Sequence, residues 1–136
     1  MHKGVSLEYK LSPPVSNEAL QALFSSAWNN PCTTDFAPIL QRSLAYICAL
    51  DSNQLVGFVN LAWDGGVHAF LLDTSVHTDY QRRGIGTALV RLALDAARQR
   101  GIEWMHVDYE PHLEGFYTAC GFRETRAGLV NLRREA

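Results

Sequence analysis

Hydrophobic and polar positions follow two periods along the chain, and the changes between them predict its elements. Alternation over Val5, Leu7 and Tyr9 predicts a first strand, which Ser12-Pro13-Pro14 closes. A helical period follows from Ser16, a good N-cap residue, and stops at Asn29-Asn30-Pro31. The apolar side of this predicted first helix is formed by Leu20, Leu23, Phe24, Ala27 and Trp28.

The segment from Cys32 to Ser43 has the weakest periodicity. Asp35 is a candidate cap for a short helix, but Pro38 permits regular geometry only in its first turn. We interpret this segment as a short helix or a mobile flap.

Three strand-like runs come next and predict a meander. Tyr46–Leu50 and Leu55–Ala62 flank Asp51-Ser52-Asn53-Gln54, which is typical of a hairpin turn. Asp64-Gly65-Gly66 forms a second turn, and the largely apolar run from Val67 to Val76 forms the third strand.

The second half predicts a parallel crossover. An amphipathic helix begins near Ile85 and ends at Gly101, and Glu103–Asp108 reads as a strand. A short helix then runs from Pro111 to Gly121, and two short strands are expected around Ala127-Gly128. The predicted fold class is α/β or α+β, with a mixed, splayed sheet of about six to seven strands, about four helices, and one domain over residues 1–136.

Composition narrows the possible functions. The chain has 136 residues, 47% of them hydrophobic and 19% charged, with a net charge of −2, so we expect neither nucleic-acid nor membrane binding. No apolar leader or spanning run is present, and a cytoplasmic location is expected. The odd number of widely spaced cysteines predicts free thiols and no metal site: Cys32, Cys48 and Cys120.

The turn from Val76 to Thr87 is the strongest candidate for chemistry. Gly84 and Gly86 lie at the predicted helix start, where backbone amides lack intrahelical partners and glycine permits a ligand to approach. With Arg82 and Arg83 beside it, this turn predicts an anion site for a phosphate. A Walker A loop is excluded because the segment contains no lysine, and a dinucleotide fingerprint fits poorly.

The segment Gln81-Arg82-Arg83-Gly84-Ile85-Gly86 resembles the Gln/Arg-x-x-Gly-x-Gly/Ala motif of the GNAT N-acetyltransferase superfamily. Val76 matches the strand-end valine of that family, and Gly57 its Val-Gly pair. The run from Phe116 to Phe122 resembles the family's Phe-Tyr-x-x-x-Gly-Phe segment. The resemblance covers roughly Leu50 to Phe122.

The resemblance implies that acetyl-CoA enters a V-shaped gap between the fourth and fifth strands. Backbone groups of Thr74, Ser75 and Val76 would pair with the pantetheine arm. The pyrophosphate would rest on the turn and helix start, formed by Gln81, Arg82, Arg83, Gly84, Ile85, Gly86 and Thr87. The alternative is a purely structural turn.

Tyr117 matches the tyrosine that the family uses to protonate the coenzyme A thiolate, although a helix tyrosine also serves packing alone. Asp73 is the candidate base, since it lies in an otherwise apolar strand beside the expected thioester. Some relatives place their acidic residue two or three positions earlier, where this chain has Leu71 and Phe70.

Three further residues are candidates for acceptor binding. Asp108 and Glu110 lie at the end of the other splayed strand, where each can bind or deprotonate a substrate, or serve as a cap or ion-pair partner. Trp28 ends the first helix, where the family usually builds its acceptor pocket. The histidines are interpreted as satisfied or exposed residues.

Together these features predict an acetyl-CoA-dependent N-acetyltransferase that transfers acetyl to a primary amine of a small molecule by direct attack in a ternary complex. Two alternatives stay open: a non-catalytic acyl-CoA sensor, and a protein N-terminal or lysine acetyltransferase. A monomer and a homodimer are both compatible with the sequence.

Overall fold

A computed structural model describes residues 7–133, which form one sheet with helices on both faces. The strand order follows the sequence; neighbouring strands are antiparallel, except that the fourth and fifth are parallel. The strands are β1 (Leu7–Leu11), β2 (Ala45–Asp51), β3 (Gln54–Trp63), β4 (His68–Val76) and β5 (Trp104–His106).

The helices begin and end where local sequence signals place them. Ser16 caps the first helix, its side chain accepting a hydrogen bond of 3.1 Å from the Ala19 amide, and Asn29 ends it with φ = 50°. The helices are α1 (Asn17–Trp28), α2 (Ala37–Arg42), α3 (Ile85–Gln99) and α4 (Glu114–Ala119), with short 3₁₀ turns at Thr78–Tyr80 and Pro111–Leu113.

The central strand β3 is buried on both faces, which explains why Leu55–Leu61 is a nearly continuous apolar run. On one face α3 packs on β2, β3 and β4 through Ile85, Leu89 and Val90. On the other face α1 and the segment before α2 cover the sheet around Phe58. The N-terminus of α3 is therefore held against the middle of the sheet.

The segment from Cys32 to Ser43 is fastened to α1. The Asn17 side chain donates to Asp35 Oδ1 at 3.0 Å and accepts from the Phe36 amide at 2.7 Å. Phe36 is 3% exposed. Pro38 lies in the first turn of α2, where the missing N–H removes no helical bond. The short-helix interpretation is correct, whereas the contacts with α1 do not fit a loose flap.

The strand count is lower than the sequence predicts. Within residues 7–133 there are five strands, and residues 120–133 contain none, so the hairpin predicted around Ala127-Gly128 is wrong for that range. Leu129, Val130 and Leu132 are 63–86% exposed. Their apolar pattern suggested strands, but no buried face stabilises them there. The first predicted strand is confirmed from Leu7; Val5 lies outside the described residues.

Two further expectations concern absences. No helix within residues 7–133 combines the length and apolar character needed to span a bilayer. The same part of the chain has no group of three or more His, Cys, Asp or Glu side chains suited to a metal ion.

Candidate active site

The sheet opens between β4 and β5. Only His68, Ala69 and Phe70 of β4 pair with β5, although β4 continues to Val76. Within residues 7–133 no strand pairs with that edge of β4 beyond Phe70, so the edge from Leu71 to Val76 has no strand partner. The cleft at this point has a volume of about 560 Å³. It is lined by Ala27, Trp28, Thr74, Ser75, Val76, Tyr80, Gln81, Arg82, Gly84, Ile85, Gly86, Thr87, His112, Leu113, Phe116 and Tyr117.

A bulge in β4 shapes the cleft wall. Phe58 lies opposite Ser75 and Asn60 opposite Leu72, so Asp73 and Thr74 together face only Val59. Asp73 has φ = 60°, a left-handed conformation that is unusual for a residue other than glycine. Ser75 Oγ donates to the Asp73 carbonyl at 2.9 Å and stabilises the bulge.

Side-chain bonds hold the turn between β4 and α3. The Tyr80 hydroxyl donates to Asp51 Oδ2 at 2.6 Å, and the Arg83 guanidinium lies 5.4 Å from the centre of the Tyr80 ring. Gln81 Nε2 donates to the Val76 carbonyl at 3.1 Å. These contacts connect the turn to the β2–β3 hairpin and to the end of β4.

The N-terminus of α3 lines the cleft and has no side-chain cap. Gly84 is the N-cap residue with φ = 83° and supplies no side-chain cap. Arg82, with φ = 64°, lines the same cleft. A Cβ at Gly86 would lie 3.5 Å from Phe116 Cζ and 3.9 Å from Val76 Cγ2, both on cleft-lining residues, so glycine here keeps the cleft wide. Uncapped amides, an arginine and open space fit a phosphate.

Tyr117 lies on α4 at the inner wall and is 7% exposed. Its ring stacks on Tyr109 at 5.0 Å and meets Phe116 and Phe122 edge-on. Burial raises the pKa of its phenol; the nearby Cys120 and Asp108 charges add to this, whereas a hydrogen bond with the Thr74 side chain acts in the opposite direction. The phenol is therefore a protonated, partly desolvated group in the cleft at neutral pH.

The three candidate carboxylates lie outside the cleft lining. Asp73, Asp108 and Glu110 are all solvent-exposed residues. Asp73 precedes cleft residue Thr74, and protein atoms desolvate its carboxyl enough to raise its pKa even though the residue as a whole is exposed. Asp108 is near enough to Tyr117 for its charge to raise the pKa of the phenol.

Most residues proposed from the sequence meet in this cleft. Trp28, Tyr117, the end of β4 and the turn come together, whereas Arg83 stacks on Tyr80 instead of lining the cleft. Sequence reasoning missed the following lining residues: Ala27, Tyr80, His112, Leu113 and Phe116. Phe116, Tyr80 and Ala27 are each adjacent in the sequence to a proposed residue. That adjacency is the signal by which these three lining residues could have been predicted.

Comparison with known proteins assigns the chain. Residues 16–122 match the family described as Acetyltransferase (GNAT) family, which is well over half of the 136 residues. The chain belongs to this family. The match spans α1 to the end of α4, and thus every lining residue of the cleft. Acetyl-CoA is the acyl donor of GNAT enzymes, and the turn, the α3 amides and the free β4 edge fit its phosphates and pantetheine arm.

Two known proteins are similar to this GNAT chain, one in sequence and one in structure. A mycothiol acetyltransferase from Mycolicibacterium vanbaalenii is 37% identical over 94 residues, which is 69% of this chain and 31% of that protein. A GNAT family protein from Streptococcus pneumoniae has a similar structure, with a TM-score of 0.77 and 26% identity over 96% of this chain and 100% of that one. The chain spans less than half the length of the curated relatives it matches.

An aminoglycoside N-acetyltransferase solved in complex with CoA also shares the fold, with a TM-score of 0.75 and 20% identity. The structural match covers 98% of this chain and 99% of that enzyme's chain. At this identity the likeness concerns the fold alone, and it confirms a GNAT-like sheet and helix arrangement.

Proposed function

We propose that this GNAT domain is an acetyl-CoA-dependent N-acetyltransferase that acetylates a primary amine of a small molecule. The observation that carries the proposal is the meeting of three parts in one cleft: the glycine turn at the α3 start, the free edge of β4 and the buried Tyr117 hydroxyl. A phosphate-holding turn alone suits many ligands. The phenol adds a proton donor at the inner wall.

The cofactor-holding residues divide into two groups. Amides at the start of α3, together with Arg82, supply positive potential for a pyrophosphate, and Gly84 and Gly86 leave room for it. Backbone groups of Thr74, Ser75 and Val76 lie on the free edge of β4, where an extended arm can add like a strand. Acetyl-CoA, when bound, supplies an acetyl thioester that an amine attacks.

The remaining chemistry belongs to side chains of this chain. Tyr117 Oη carries the proton that a departing sulfur requires, and its raised pKa keeps that proton in place at neutral pH. The Thr74 hydroxyl stabilises the oxygen that has lost its proton. The acceptor amine must lose its extra proton before it attacks, because an ammonium has no lone pair.

We assign the removal of that amine proton to Asp73. Its neighbour Thr74 lines the cleft, and desolvation raises the pKa of its carboxyl, which makes it a better proton acceptor than an ordinary aspartate. The left-handed backbone at Asp73 is an unusual conformation next to the expected reaction centre. Asp108 is the second candidate, since its charge acts on Tyr117.

The test is release of free thiol from acetyl-CoA in the presence of small amines and peptides, combined with calorimetric binding of CoA. If the chain is an acetyltransferase, the wild type should release thiol only when an amine is present. Tyr117→Phe should lower the rate of thiol release at least tenfold and leave the affinity for CoA unchanged. Tyr109→Phe is the matched control, because Tyr109 stacks on Tyr117 but does not line the cleft.

Two outcomes contradict the proposed activity. Tight CoA binding without thiol release for any amine favours a sensor module. Thiol release only with peptides indicates that the acceptor is a protein N-terminus or lysine. Full activity of Tyr117→Phe removes the phenol from the chemistry.

A further inference from the structure

Trp28 presents an open aromatic surface at the mouth of the cleft. It is the last residue of α1 and is 59% exposed, yet its indole Nε1 donates to Ser75 Oγ at 3.0 Å. Ser75 is 2% exposed and donates in turn to the Asp73 carbonyl. The polar edge of the indole is therefore satisfied inside the protein, and the ring itself faces solvent and the cleft.

The end of α1 is fixed in this position by a second connection. Ser26 Oγ and Thr78 Oγ1 are 2.9 Å apart, and the Thr78 amide donates to Ser26 Oγ at 3.2 Å. Thr78 begins the 3₁₀ turn two residues after the end of β4, so α1 is connected to β4 through Trp28 and to the turn after it through Ser26. An aromatic group held in this way loses little conformational freedom when a ligand covers it.

The charge of the cleft limits which amines suit it. Among the residues of the described chain that line it, none is Asp or Glu, and Arg82 is a permanent cation. A polycation such as a polyamine or an aminoglycoside would find no carboxylate among the lining residues, and only the flanking Asp73, assigned above as the base, as a counter-charge close by. An indole face instead favours a flat ring or a single ammonium group.

We infer that the acceptor is a small monoamine carrying an aromatic or apolar group that packs on the Trp28 indole, with Ser75 as a positioning residue that holds the ring. This inference rests on the proposed acetyltransferase function. It narrows the acceptor to arylalkylamine-like compounds.

The activity test compares 2-phenylethylamine, butylamine, spermidine and kanamycin as acceptors. The wild type is expected to have at least a tenfold higher kcat/KM for 2-phenylethylamine than for spermidine or kanamycin. Trp28→Ala should raise the KM for 2-phenylethylamine at least tenfold and leave the KM for acetyl-CoA within twofold. Trp104→Ala is the matched control, because Trp104 is 49% exposed but does not line the cleft.

Ser75 is tested by a double-mutant cycle. Trp28→Phe keeps a ring without the N–H, and Ser75→Ala keeps the backbone that faces the cofactor. Each should raise the KM for 2-phenylethylamine about threefold to tenfold. Both substitutions remove the indole–serine hydrogen bond, and Ser75→Ala also removes the bond to the Asp73 carbonyl, so the KM of the double variant should not exceed that of Ser75→Ala. Additive effects overturn the positioning role of Ser75.

Binding without turnover provides an independent measurement. In a Trp63→Phe/Trp104→Phe background Trp28 is the remaining tryptophan, and 2-phenylethylamine should change its fluorescence in a saturable way. A preference for spermidine or kanamycin, or no saturable change, overturns the inference. If 2-phenylethylamine binds saturably but no amine causes thiol release, the proposed function is wrong and the inferred aromatic binding site is retained.

Discussion

Gly57 on β3 and Leu89 on α3 are so close that a Cβ atom at position 57 would lie 3.0 Å from Leu89 Cδ1. The same atom would lie 3.1 Å from Ile85 Cγ2. Ile85 is the first residue of α3, and Gly57 pairs with Val76 at the end of β4. This glycine therefore sets the distance between the sheet and the helix start that forms the anion site.

Gly57→Ala should destabilise the protein by about 1–3 kcal/mol, because the added methyl group overpacks a buried contact that is already tight. Urea denaturation measures the change. Gly115→Ala is the control: a Cβ at Gly115 meets nothing within 4 Å, and alanine is the better helix former, so its stability should equal or exceed the wild type. Equal stability of both variants would contradict the packing account.

Substituting the two glycines of the turn should affect different properties of the protein. Gly84 has φ = 83°, so Gly84→Ala should cost about 1–2 kcal/mol of stability through backbone strain, although its Cβ would meet no atom within 4 Å. Gly86→Ala should retain stability, since its Cβ would make ordinary contacts with Phe116 and Val76. It should weaken CoA binding, because the methyl group occupies cleft space. Thermal unfolding and calorimetry separate the two effects, and unchanged CoA affinity in Gly86→Ala would place the pyrophosphate elsewhere.

Local signals predicted much of this architecture. The spacing of apolar residues predicts α1 and α3, and Ser16 and Gly84 mark their starts, because capping and glycine conformations depend on near neighbours. The motif from Gln81 to Gly86 also located the cleft wall.

Features that depend on distant partners were harder to predict. The bulge at Asp73 exists through its pairing with β3, and the bond from Trp28 to Ser75 joins residues 47 positions apart. The two short strands predicted around Ala127-Gly128 are absent from residues 120–133, because a strand needs an apolar surface to cover and Leu129 stays exposed. The motif predicts the acyl donor, whereas tertiary contacts define the acceptor side.

Thr74 should support catalysis through Tyr117. Removing its hydroxyl in Thr74→Val raises the pKa of Tyr117 further and leaves the phenolate less stabilised, so kcat should fall about threefold to tenfold. The KM for acetyl-CoA should not change, because the backbone of residue 74 is intact. Thr74→Ser should restore kcat. Burial raises the pKa of Tyr117 above the ordinary tyrosine value, so any decline in kcat from loss of its proton should lie at higher pH than for an ordinary phenol. Equal losses in the serine and valine variants would assign Thr74 to packing alone.

Cys48 should make stability fall at alkaline pH. Its side chain is 1% exposed between α1 and the sheet, and burial raises the pKa of its thiol from 9.0 to about 12. Because the folded-state pKa is the higher one, the stabilisation is complete below pH 9 and is lost as pH rises towards 12. At pH 10 the unfolded thiol is mostly ionised, which lowers the free energy of unfolding by on the order of 1 kcal/mol relative to neutral pH.

Urea denaturation at pH 8 and pH 10 measures this linkage. Cys48→Ala loses packing at both values, but its difference in unfolding free energy between pH 8 and pH 10 should be smaller than that of the wild type by on the order of 1 kcal/mol. Cys32→Ala is the control, since Cys32 is only partly buried and its removal should leave the wild-type pH difference unchanged. Comparing differences between variants removes the contribution of the partly buried Tyr9, whose pKa is also raised by burial. The contribution of Tyr46 is removed only in part, because burial and then the Cys48 charge raise its pKa. If the change in unfolding free energy between pH 8 and pH 10 is the same in Cys48→Ala and the wild type, the thiol ionises as easily in the folded protein as in the unfolded chain. The core around Phe58 would then admit water.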